Sequence, residues 1–168
     1  FYHDQFGRRY SGHWTVPPGR QVVRNRTTTF MNLPFDTTIH YIAVHLHPFA
    51  ESLELRDIAT GETLFKSDAK NFENQIGLSH VEYFSSQEGI PVYQNHEYEM
   101  VTVYNNTTAV DQDSMAIMYL YLLDKEFQKP TIAPSSPHET ADAVGSLLSV
   151  NILGTMERNL DSGTPCQA

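Results

Sequence analysis

Apolar and polar residues alternate with a period of two along several short stretches, the spacing of half-buried β-strands. "HYIAVHL" alternates over residues 40–46 and predicts a strong strand over 39–47. It stops at Pro48, which has no backbone N–H to donate to a ladder. "SLELRD" (52–57), the turn Ala59-Thr60-Gly61 and a returning stretch over 62–66 predict a hairpin. Pro17-Pro18-Gly19 makes a rigid turn before a strand over Arg20–Arg24, and Asn105-Asn106 closes another strand of about eight residues. "DSMAIMYLYLL" (113–123) holds good helix formers, but its aromatic and β-branched content and short length favour a strand. Residues 74–84 fit neither pattern.

These elements predict an all-β fold, an antiparallel β-sandwich of jelly-roll type occupying residues 1–125. After Asp124 the character changes. Residues 126–168 read as a Pro-rich strap followed by an irregular or partly helical tail. In that tail "ADAVGSLLSVNILGTMERNL" reads as a short helix, although Gly145 and Gly154 interrupt it. No internal repeat is present.

Composition narrows the function classes. At 168 residues the chain can bury a core without covalent staples. Its formal net charge of −9 repels phosphate backbones and anionic lipid, so nucleic acid is not an expected partner. No stretch approaches the roughly 20 apolar residues that span a bilayer, so membrane insertion is not expected either. The chain opens at Phe1 without a signal peptide, as a mature form or an excised piece would. The single cysteine, Cys166, cannot form an intrachain disulfide and reads as a free thiol. Asn25-Arg26-Thr27, Asn105 and Asn106 match the short glycosylation pattern.

The chemistry concentrates in the histidines. Alternation puts Tyr41, Ala43, His45 and His47 on one strand face, and His40 with Ile42, Val44 and Leu46 on the other, which is the better core face. His45 and His47 then lie about 6.5–7 Å apart at Cα, and their rings can converge on one ion. Without that ion they are two polar residues on a strand. A third ligand must come from elsewhere in the sheet: His13, His80, His96, Met100, Met115 or Met118. A thioether in the set would favour Cu(I), whereas imidazole suits both copper oxidation states. Glu51, Glu54 and Asp57 read as a solvated face. Hydrolase, zinc-protease, Walker and dinucleotide-binding motifs are all absent.

"VHLHPFAESLELRD" and "VYNNTTAVDQDSMAIMYLYL" resemble the C-terminal domain of the copper-dependent peptidylglycine α-hydroxylating and dopamine β-monooxygenase family. The resemblance covers residues 36–123 and rests on His45-Leu46-His47, Tyr104-Asn105 and Asp113-Ser114-Met115. It implies one copper ion, cycling between Cu(I) and Cu(II), on His45, His47 and Met115. It also implies a substrate-positioning role for Tyr119, an electron donor or a copper-exchanging protein as partner, and an extracellular or periplasmic location.

Two departures are plain. Where the amidating enzyme has a carboxylate-binding arginine and an asparagine, this chain has Ala43 and Ile117. A glycine-extended peptide is therefore not the expected substrate. The family's electron-supplying second copper domain also has no room here. Three readings follow in order. The first is a copper-binding module for storage, delivery or sensing, with His13, His80 and His96 as auxiliary ligands. The second is a copper- and O2-dependent monooxygenase domain that hydroxylates a C–H bond with an external donor. The third is a metal-free structural or interaction domain.

Overall fold

The computed structural model describes residues 2–3, 6–7, 9–10, 12–128 and 147–154. Its elements are β1 (Tyr2–His3), β2 (Arg9–Tyr10), β3 (His13–Val16), β4 (Gly19–Arg26), α1 (Thr28–Met31), β5 (Thr37–Leu46), β6 (Ala50–Asp57), β7 (Thr63–Asn71), β8 (Leu78–Val81), β9 (Phe84–Val92), β10 (Tyr98–Asn106), β11 (Gln112–Leu123) and β12 (Leu147–Gly154). One sheet runs β4-β10-β6-β7-β8. The other runs β12-β11-β5-β9, with β3 also paired to β11. β1 and β2 form a separate short ladder. Every pairing among the described residues is antiparallel, and the chain is an all-β sandwich. Among the described residues no helix is long and apolar enough to cross a membrane.

Period-two alternation creates the core. Ile39, Ile42 and Leu46 of β5 and Ala116, Met118, Leu120 and Leu122 of β11 face Leu53 and Leu55 of β6 and Tyr98, Met100 and Tyr104 of β10. Each of the larger aliphatic side chains here contributes roughly 1.5–3 kcal/mol by leaving water. The opposite face of the β11–β5 sheet is left for chemistry.

β6 and β7 form the expected hairpin, and Gly61 supplies the positive φ of 76° that its turn requires. Asp57 departs from expectation. It is in phase with the inward-facing Leu53 and Leu55, is only 3% exposed, and caps the turn by accepting from the Ala59 and Thr60 amides. It is therefore not part of a solvated face. Glu51 and Glu54 are, and they pair with Arg20 and Arg56.

A register shift between Ile39 and Tyr41 changes the β5 pattern locally. Ile39 enters the core, and His40 becomes a half-buried structural residue. The His40 ring nitrogens meet the Thr38 hydroxyl at 2.7 Å and the Ser86 carbonyl at 3.0 Å.

The tail also differs from expectation. Leu147–Gly154 is not helical; it pairs residue for residue with Leu123–Ala116 as strand β12. Val150 and Ile152 suit a strand, and pairing satisfies backbone groups of β11 that would otherwise form an open edge. Gly154 thus ends a strand instead of interrupting a helix. The strap from 129 to 146 and the end from 155, with Cys166, lie outside the described residues. The ambiguous stretch 74–84 resolves into β8 and the start of β9.

Candidate metal centre

Alternation along β11 turns Ser114, Ala116 and Met118 inward and leaves Asp113 and Met115 on the outer face. β3 follows the same rule: Trp14 and Val16 are buried, whereas His13 and Thr15 are exposed. The β3–β11 register sets Met115 opposite His13 and Asp113 opposite Thr15. On the β5 side His45 is opposite Ile117. His47, just past the end of β5, donates its backbone N–H to the Met115 carbonyl at 3.4 Å. Met115 is therefore flanked by His13 and His47, with Asp113 and His45 at neighbouring positions along the strands.

The side chains converge. Nδ1 of His13 lies 3.1 and 3.0 Å from the two carboxylate oxygens of Asp113. Nδ1 of His47 lies 3.3 Å from the same carboxylate. His13, His47 and Asp113 each present a donor atom within 4.8 Å of the others. The His13 and His47 rings sit edge to face with centroids 5.6 Å apart, and the His45 and His47 rings are similarly arranged at 5.4 Å. Burial, followed by the positive charge that His47 and His13 can carry, holds the His45 imidazole below its ordinary pKa. A neutral imidazole is the form that binds metal.

The carboxylate–imidazole separations are hydrogen-bonding distances that coordination of one ion would also allow. Four ligands at about 2.0–2.1 Å around a tetrahedral ion stand roughly 3.3 Å from one another, close to the 3.0 and 3.3 Å between the Asp113 carboxylate and the two imidazole nitrogens. The same carboxylate can alternatively orient the two rings from behind, the arrangement found around many metal-bound histidines. Both uses place negative charge beside a cation.

Tyr104 holds this face from beneath. Its hydroxyl donates to the Met115 carbonyl at 2.6 Å and accepts the His47 amide at 3.0 Å. Tyr104 belongs to β10 of the other sheet, so one buried phenol ties both sheets together under the histidines. Burial pushes its pKa up to about 12, against the opposing effect of its bonds to His47 and Met115. Trp14 packs edge to face on the Tyr104 ring at 5.6 Å.

Of the residues singled out in the sequence, His45, His47 and Met115 lie along one face, and "GHW" folds back so that His13 joins them. Met118 is fully buried in the core. Tyr119 is half-buried opposite Ala43, four residues beyond Met115, ~13 Å along the strand. It is two positions beyond Ile117, the partner of His45, and outside the compact group of His13, His47 and Asp113. His80 is exposed on β8 of the other sheet, and His96 is engaged with Asp57 at 2.6 Å. Neither joins the cluster. Asp113 as a donor and Tyr104 as the support were not apparent beforehand. The alternation His13 out, Trp14 in was a usable signal for the first strand of the site. Comparison of the chain with protein-family models, with curated proteins and with solved structures finds no match to any of them.

Proposed function

We propose that the protein is a copper-binding β-sandwich that holds one ion at the outer end of β3, β5 and β11 for storage or delivery. The observation that carries this reading is the approach of His13, His47 and Asp113 to within 4.8 Å, with His45 against His47 and Met115 between the strands. Imidazole and carboxylate donors bind divalent first-row metals in an order that peaks at copper, and a thioether extends the preference to Cu(I). The half-buried His47, with 22% of its side chain exposed, and the exposed His13 and Asp113 give a site that an ion can enter and leave. Such access suits exchange with a copper-carrying partner. The resemblance to the copper monooxygenase domain supports the same metal through His45, His47 and Met115.

The test is titration of metal-stripped protein with Cu(II), and with Cu(I) under anaerobic conditions, beside His47→Ala and His80→Ala. One tight equivalent in wild type and in His80→Ala, lost in His47→Ala, is expected. Equal binding by all three would overturn the reading.

A further inference from the structure

We propose that the cleft at the turn between β7 and β8 binds a neutral oligosaccharide, with one sugar face stacked on the Phe72 ring. Phe49, Phe72, Asn105 and Thr107 are among the residues that line this cleft, a space of about 470 Å³. A second hollow of about 570 Å³ shares Asn71, Phe72, Glu73 and Gln75 with the first, so the Phe72 ring borders both. None of His13, His45, His47, Asp113 and Met115 lines either one, and the proposal does not rest on copper.

Both aromatic residues are held in place. The Phe72 amide donates to the Gly77 carbonyl at 3.0 Å and closes the turn. Its ring lies over Gly77, where an added Cβ would meet it at 3.2 Å, yet Phe72 stays 45% exposed. Phe49 has a φ of 73°, a region that bulky side chains rarely adopt. It follows Pro48 in a turn closed by the Ala50 amide on the His47 carbonyl, at a position where glycine is the usual residue. Asn71 secures that turn: its side-chain oxygen accepts the Phe49 amide at 2.7 Å, and its nitrogen donates to the Ala50 carbonyl at 2.9 Å. The Asn105 amide donates to the Phe49 carbonyl at 2.8 Å. Backbone strain of this kind persists only where the surroundings enforce it, and here it belongs to a residue of the cleft wall.

The polar lining decides the ligand class. The side chains of Glu73, Gln75, Asn105 and Thr107 have no hydrogen-bond partner among the described residues. Amides and hydroxyls donate and accept as sugar hydroxyls do, and a carboxylate accepts from them. The first cleft has no basic lining residue. Glu51 is already paired with Arg20 at 3.0 Å, which leaves Glu73 as an unpaired carboxylate that disfavours anionic ligands. A sugar ring combines C–H groups that fit the negative face of an aromatic ring with a rim of hydroxyls for the amides. Two hollows bordered by one ring suit a chain of sugars better than a single one.

The metal-stripped full chain is titrated calorimetrically with cellotetraose, maltotetraose, mannotetraose and chitotetraose, and with tetragalacturonate as the acidic counterpart. Binding of at least one neutral tetrasaccharide is expected, weakened about tenfold in Phe72→Ala and restored in Phe72→Tyr. Asn105→Ala should weaken it as well, whereas Tyr83→Ala, at an exposed ring outside both hollows, should leave it unchanged. Phe72 is exposed, so its truncation leaves the core intact, and urea unfolding of each variant checks this. Absence of binding to every neutral tetrasaccharide, full binding in a folded Phe72→Ala, or equally tight binding of tetragalacturonate would overturn the proposal.

Discussion

Met115 stands directly across the β3–β11 ladder from His13, a residue 102 positions earlier in the chain. Its carbonyl oxygen accepts from both the Tyr104 hydroxyl and the His47 amide. The register thus brings together a thioether, two imidazoles and a carboxylate that no short motif contains. The core beneath holds the register, because Trp14, Ser114 and Ala116 face inward on the alternate positions.

Removing the Tyr104 hydroxyl tests how much of that support is hydrogen bonding. Tyr104→Phe keeps the ring but takes a partner from the buried Met115 carbonyl and the His47 amide. A loss of about 1–3 kcal/mol in urea unfolding is expected. Tyr83→Phe, at a ring 66% exposed, should be neutral.

The same phenol predicts alkaline sensitivity. Its folded pKa of about 12 exceeds the ordinary 10.0, so the unfolded chain ionises first. The contribution is complete below pH 10 and declines as pH rises towards 12, by roughly 2–3 kcal/mol in total. Stability measured across this range should fall in wild type and fall less in Tyr104→Phe. Equal slopes would contradict the assignment.

The two neighbouring methionines should separate packing from binding. Met118 is fully buried between the sheets, and Met118→Ala should cost about 2–5 kcal/mol in thermal or denaturant unfolding. Met115→Ala, on the outer face, should cost much less and instead weaken Cu(I). A reversed pattern in paired unfolding and titration experiments would show that the face assignment is wrong.

Asp57 predicts behaviour in acid. Burial alone would raise its carboxyl, but hydrogen bonds from His96, Thr60 and Ala59 outweigh this and hold it below 3.8. Its contribution is therefore present above the unfolded value and lost as pH falls through the lower folded one. Acid unfolding followed by circular dichroism should become less steep below pH 3.8 in Asp57→Asn.

Strand alternation made the β5 histidines, the β6–β7 hairpin and the β11 strand legible in the sequence, because period two is a local property. It could not indicate that His13 would face Met115, since cross-strand register depends on contacts remote in sequence. The burial of Ile39, in phase with Tyr41 and His45, eluded it because one irregularity in β5 offsets the count. Asp57 misled because its charge outweighed its parity with Leu53 and Leu55. In residues 147–154 the leucines suggested a helix despite the glycines at 145 and 154, but pairing with β11 overrode that local preference.

The most direct test of the metal centre is substoichiometric Cu(II) added to isotopically labelled protein, read by paramagnetic broadening in NMR spectra. The account predicts that signals of His13, His47 and Asp113 vanish first, followed by those of Met115 and His45, while His80 and His96 stay sharp. Broadening that begins at His80 or His96, or spreads evenly over the surface, would contradict it.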